Sequence, residues 1–326
     1  MGIELMILLK GLTMKSKIWE LINNSNSILL LTHINPDGDA IGSIMALYLM
    51  LKDISKDVRV LLPKYPPLFG FIPFINNSVD RDTREYDLAI VVDCATKERI
   101  GQVNEEFSRC KRTVNIDHHF ANTKYADVNY VVGNEPACSQ SIYYLFKDWN
   151  VEISKDIGVA LTVGVLTDTD GFRNNNVNKE TFKMMLELMD KVNLYELYDI
   201  VLARRSRAQF ELAKVTMNRL EFFDEGKIAF SYITKDDMVN TKALLGDHEG
   251  LVDIGRNISG VEVSIFVRED DGYRISFRSN GLVKVNEIAM IFGGNGHEFA
   301  AGALINLDFL EMKKRLIEES IKVINR

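Results

Sequence analysis

Four short apolar runs lie within the first part of the chain: SILLL (27–31), VRVLL (58–62), LAIVVD (88–93) and TVNID (113–117). Each is dominated by Leu, Ile and Val and bounded by polar turns, so each reads as a buried strand. Between the first two, Ala40, Ile44, Leu47 and Leu51 recur at the spacing of one helical face. Further helices are expected at 137–149, 154–167 and 178–191. Strands alternating with helices dictate an α/β fold: a mostly parallel sheet with helices on both faces. That architecture also limits where function can sit, because ligands of such sheets collect beyond the carboxyl ends of the strands.

The chain has 326 residues, more than one core comfortably fills, so two domains are expected. We place a first domain at 14–191 and a helical connector, rich in Arg and Glu, at 192–224, where we read the link and the entry helix of a second domain. Beyond it, KIAFSYI (227–233), VEVSIFV (261–267) and YRISFRS (273–279) read as strands, with helices near 285–292 and 308–323. Residues 225–326 should therefore form a smaller mixed α/β domain. Residues 1–13 are apolar and read as an N-terminal extension, since Met14 opens a helix-like segment. They carry no basic leader with a cleavage site, and Met6 breaks the myristoylation pattern. No stretch approaches the roughly 20 apolar residues of a spanning helix. Cys94, Cys110 and Cys138 form neither a CxxC pair nor an even set, which points to a reducing, cytoplasmic setting.

Acidic and histidine residues gather at the ends of these elements. LLLTHINPDGDA supplies His33, Asp37 and Asp39; AIVVDCA ends in Asp93; TVNIDHH ends in Asp117, His118 and His119; GVLTDTDGF closes a helical run with Asp168 and Asp170. Only five histidines occur in the chain, and three of them fall here. Taken singly, the first segment is a polar turn, Asp93 a helix cap and Asp168 a helix end. Together, several converging carboxylates would repel one another unless a cation joined them. Carboxylate oxygens with imidazole nitrogens suit manganese or a similar divalent ion. Two such ions roughly 3.5–4 Å apart could generate a nucleophile and clamp a phosphoryl group for in-line attack.

In the second domain, FGGNGHEFAAGA (292–303) reads as a glycine-rich loop running into a helix, whose N-terminus would favour an anion. His297 could add a donor. Arg256, Arg268, Arg274 and Arg278 lie in nearby segments, and alternation along 273–279 puts Arg274 and Arg278 on one face. Arginine suits bidentate phosphate contacts, although a solvated strand edge would look the same. The net charge of −7 would repel a long duplex but not a short anion reaching a metal centre.

These segments resemble the DHH phosphoesterases that carry a DHH-associated C-terminal domain, in particular the bacterial nanoRNase/pAp-phosphatase group. THINPDGDAIGS, VVDCA, NIDHH and TDTDGF look like its four metal motifs in order. RNISGVEVSIFVRE, SFRSNG and GGNGHEFAAG look like its C-terminal substrate motifs. The resemblance implies one manganese on His33, Asp37 and Asp93, and a second on Asp39, Asp93, His118 and Asp168, with magnesium or cobalt as substitutes. Asp117 would orient the cage, and His119 would assist the leaving group. Arg256, Arg278, His297 and the backbone of Gly294 and Gly296 would hold the substrate, in a cleft between the domains.

Implied substrates are short RNA oligonucleotides, adenosine 3′,5′-bisphosphate (pAp) and linear di-adenylate (pApA); a homodimer is within the expectation, whereas long duplexes and membranes are not partners. The alternatives are an inorganic pyrophosphatase-like hydrolase and a nucleotide-binding regulator without activity. Two departures from the family pattern are Asn295, in place of a glycine, and Asp170, an extra carboxylate.

Overall fold

The computed structural model describes residues 2–244 and 246–326, with side chains from Thr13 onward. The chain divides into two compact units, 1–204 and 205–326. In the first, α1 (Gly2–Asn24) precedes β1 (Ser27–Leu31), α2 (Gly38–Asp53), β2 (Asp57–Val60), β3 (Leu88–Val92), α3 (Asn104–Arg109), β4 (Arg112–Asp117) and β5 (Val128–Val131). Then follow α4 (Cys138–Asp148), α5 (Lys155–Asp168), α6 (Lys179–Met189) and α7 (Leu194–Tyr198). Residues 2–13 do not stand apart from Met14 but form the first turns of α1; Met1 lies outside the described residues.

The five strands pair in parallel in the order β2-β1-β3-β4-β5. Alternation sorts their side chains to two faces. Ile28, Leu30, Ile90, Val92, Val114 and Ile116 meet residues of α2, α4 and α5. Leu29, Leu31, Ala89 and Val91 meet Ile100, Val103 and Phe107 on the other face. Both faces being covered explains why these strands read as unbroken apolar runs.

In the second unit, α8 (Arg207–Asn218) leads to β6 (Glu221–Phe223), β7 (Ile228–Ile233), α9 (Lys235–Asn240), α10 (Val252–Arg256), β8 (Val263–Asp270) and β9 (Gly272–Ser279). The chain ends with α11 (Val285–Ile291), β10 (Asn295–His297), β11 (Ala300–Ile305) and α12 (Phe309–Ile324). The sheet order is β10-β11-β9-β8-β7-β6, parallel only between β7 and β8. Val285, Ile288, Met312 and Leu316 cover one face, and Leu212 with Val252 packs on Phe266 of the other. The stretch 192–224 contains both a connecting segment and an entry helix. It holds α7, a π-turn at Asp199–Ala203, and α8, which belongs to the second core.

The glycine-rich segment differs from the expected loop-to-helix turn. It follows α11 and forms the β10–β11 hairpin, so no helix N-terminus is presented there. Close strand approach is the reason for its composition: a Cβ on Gly296 (φ 146°) would lie 2.5 Å from Ala301 Cα. Among the described residues no helix is long and apolar enough to cross a membrane.

Candidate metal centre

After β1 the chain turns through His33 into α2, with Asp37 as the N-cap. Asp37 Oδ1 accepts the Asp39 and Ala40 N–H groups at 3.1 and 3.0 Å, which leaves Oδ2 4.0 Å from His33 Nε2. His33 Nδ1 is 2.8 Å from the Ile34 carbonyl oxygen, so this nitrogen is the N–H donor. Its Nε2 then faces Asp93 Oδ2 at 3.5 Å.

Asp93 sits just past β3 in left-handed backbone, φ 51°, and is buried. Its Oδ1 lies 3.4 Å from His118 Nε2 and 3.5 Å from His119 Nδ1, yet makes no hydrogen bond. A strained backbone carrying an unsatisfied buried carboxylate oxygen is a costly arrangement that a cation would relieve. His118 repeats the logic of His33. Its Nδ1 is 2.9 Å from the Glu135 carbonyl oxygen, and its Nε2 faces Asp93, Asp168 Oδ2 at 3.5 Å and Asp39 Oδ2 at 3.8 Å. An imidazole tethered through one nitrogen to a carbonyl, with the other aimed at carboxylates, is the usual posture of a metal ligand.

His33, Asp37 and Asp93 offer donor atoms within 4.8 Å of one another, as do Asp39, His118 and Asp168. Asp93, Asp117 and His119 form a third such group. Asp93 thus joins the first and third groups and touches the second through His118. Asp117 is fully buried behind them; its Oδ1 accepts the His118 N–H at 2.9 Å and faces His119 Nδ1 at 2.8 Å.

The charges agree with a cation site. Burial, reinforced by the Asp93 charge, pushes Asp39 up to about 6, and burial likewise pushes Asp168 well up. Burial alone would also raise Asp93, but its contacts with His118 and His33 hold it well below the carboxylate range. Burial disfavours charge on His118, yet Asp168, Asp93 and Asp39 together raise it well above its ordinary value; His33 is raised against burial chiefly by Asp93. Protons therefore do the work a divalent ion would do, and the donor set fits such an ion.

Manganese binding near neutral pH is expected to release protons, because the two imidazoles must give them up to coordinate. Its apparent affinity should fall on acidification as those protons return and Asp39 protonates near pH 6. Calorimetry in buffers of different ionisation enthalpy measures this; a binding heat independent of buffer would contradict it.

Several supporting residues escape a sequence reading. Asp39 accepts the Cys138 and Ser139 N–H groups at 2.6 and 2.9 Å, so it sits on the N-terminus of α4. Asn122 Nδ2 donates to Asp117 Oδ2 and to Asn115 Oδ1; the Asn residues flanking IDHH were the available signal. Asn174 Nδ2 donates to the Asp168 carbonyl oxygen at 2.8 Å. Asp170 pairs with Arg173 at 3.0 Å.

Helix α5 comes so close that a Cβ on Gly164 would lie 1.8 Å from Ser139 Oγ and 2.7 Å from Asp39 Oδ1. Gly164→Ala is expected to cost about 1–3 kcal/mol of stability and to weaken manganese binding by displacing Asp39. Thermal unfolding with and without manganese reads both; a wild-type metal-induced shift would show that Asp39 tolerates the extra methyl.

In the second unit, β9, β11 and β10 place Arg278, Ala300 and His297 in one cross-strand row, so Arg278 and His297 share a face. Arg274 is paired two positions along the same face with Leu304, and binds Asp270 at 2.7 Å. Arg256, at the end of α10, lies 2.9 Å from Asp253. Gly294 and Gly296 belong to the hairpin.

Residues 27–165 match the model of the DHH family, N-terminal domain, and residues 225–326 match the DHHA1 domain. The bifunctional oligoribonuclease and PAP phosphatase NrnA of Thermus thermophilus is 31% identical over 297 residues, covering 89% of this chain and 88% of that protein. The chain belongs to the DHH family. The bifunctional oligoribonuclease and PAP phosphatase NrnA of Bacillus subtilis is 29% identical over 302 residues, covering 90% of this chain and 93% of that protein. The crystal structure of an exopolyphosphatase-related protein from Bacteroides fragilis superposes with a TM-score of 0.87 at 25% identity, covering 96% of this chain and 98% of that one. This DHH-family chain is accordingly a phosphoesterase, a hydrolase of phosphoester bonds.

Proposed function

We propose that this DHH-family phosphoesterase uses two manganese ions to hydrolyse short RNA oligonucleotides to mononucleotides, and that it also removes the 3′-phosphate of pAp and cleaves pApA. The observation that carries the reading is the pair of carboxylate–imidazole groups meeting at Asp93. Relatives named for oligoribonuclease and PAP phosphatase activity support the substrate class. His33, Asp37 and Asp93 would hold one ion, and Asp39, Asp93, His118 and Asp168 the other. When bound, the ions would supply an activated water and neutralise charge on the phosphoryl oxygens.

The protein's own groups do the rest. Asp117 holds His119 through Nδ1, which orients the ring to pass a proton to the departing ribose oxygen. Arg256, Arg278 and His297, with the Gly294 and Gly296 backbone, are proposed to contact the rest of the substrate. A cytoplasmic location belongs to the same reading and is supported by three cysteines without disulfides, two of them buried.

The test is a substrate panel of a ribodinucleotide, pAp, pApA, pyrophosphate and a long duplex, in manganese and in chelator. Chelator-sensitive turnover of the first three, with the duplex left intact, is the expected result. Pyrophosphate cleaved much faster than the dinucleotide would overturn the substrate assignment, and tight nucleotide binding without turnover would overturn the activity.

A further inference from the structure

Of the arginines in the first unit, Arg59, Arg81, Arg84, Arg112, Arg173 and Arg204 each pair with a carboxylate, and Arg109 donates to the Asp82 carbonyl oxygen. Arg99 does neither. Among the described residues its guanidinium has no hydrogen bond, ion pair or ring contact, although the residue is only partly exposed. Its backbone is tied to the metal-centre loop: the Ile34 N–H donates to the Arg99 carbonyl oxygen at 2.8 Å, and the Ile34 side chain packs over Gly101. Arg99 therefore roots one residue from His33 and six residues past Asp93, in the short 3₁₀ segment Lys97–Val103.

We propose that Arg99 binds a non-bridging oxygen of the phosphoryl group undergoing hydrolysis. A partly exposed arginine with no ion pair among the described residues has five donors to offer a ligand. Its planar fork matches a phosphoryl group, and its backbone is rooted beside the His33 loop where such a group would be hydrolysed. Stabilising charge on a transferring phosphoryl group is a role that guanidinium groups fill well.

The inference rests on phosphoester hydrolysis at this centre and not on which nucleotide is the substrate. It is tested on the full chain loaded with manganese, as wild type, Arg99→Gln, Arg99→Lys and Arg99→Ala. Binding of inorganic phosphate and of manganese is measured by calorimetry, and turnover on pAp and on bis(p-nitrophenyl) phosphate. Arg99→Gln should weaken phosphate binding by about tenfold or more and lower kcat/KM by about 10–100-fold, the worth of a charge-assisted hydrogen bond. Manganese affinity and melting temperature should stay at wild-type values. Arg99→Lys should recover part of the loss, and added guanidinium should partly rescue Arg99→Ala. Unchanged phosphate binding in Arg99→Gln would overturn the proposal, as would a loss that follows weakened manganese binding. A wild type that binds phosphate through Arg99 but hydrolyses neither ester would instead count against the proposed function.

Discussion

Asp93→Ala is expected to abolish hydrolysis of every substrate, with a loss beyond the 10–100-fold that follows removal of a group behind a metal ligand, on the order of a thousandfold or more. The reason is positional. Asp93 is the carboxylate that both imidazoles address, with Oδ2 3.5 Å from His33 Nε2 and Oδ1 3.4 Å from His118 Nε2. Removing it leaves two buried rings without their counter-charge and divides the centre into halves. The variant should also lose protons from His33 and His118, whose charged forms Asp93 supports. Steady-state assays in manganese, with circular dichroism to confirm folding, decide the matter. Substantial manganese-dependent turnover in a folded Asp93→Ala protein would remove Asp93 from the ligand set.

His119→Gln should have a large effect that depends on the leaving group. With Nδ1 held by Asp117 at 2.8 Å, the ring can serve a proton to a departing oxygen, a contribution of about 10²–10⁴-fold when that oxygen is a poor leaving group. A ribose hydroxyl needs that proton and a p-nitrophenolate does not. The variant is therefore expected to fail on a ribodinucleotide while retaining most of its rate on bis(p-nitrophenyl) phosphate. Equal losses on both would assign His119 to binding or to the metal cage instead. Asp117→Asn should reproduce the pattern in weaker form, since it disturbs the tautomer and not the ring itself.

The strands that build the centre were legible because a sheet covered on both faces leaves unbroken apolar runs: β1, β3 and β4 carry such runs and end at His33, Asp93 and the Asp117–His119 stretch. β5 was not legible, since Val128-Asn129-Tyr130-Val131 is four residues long and alternates at the sheet edge. The β10–β11 hairpin was misread for a chemical reason. Glycines that allow strands to approach closely look the same in sequence as glycines that cradle an anion. Asp39 was found as a candidate ligand, but its seat on the α4 N-terminus depends on Cys138 and Ser139, about a hundred residues away. Arg99 lies in Thr-Lys-Glu-Arg, a run that reads as solvated surface. Only its tie to Ile34 and its want of a partner give it meaning.

Anomalous diffraction from crystals of this protein grown with manganese would test the account most directly. It predicts two manganese peaks in the first unit, one against His33, Asp37 and Asp93 and one against Asp39, His118 and Asp168, with Asp93 touching both. A single peak, or peaks away from Asp93, would contradict it.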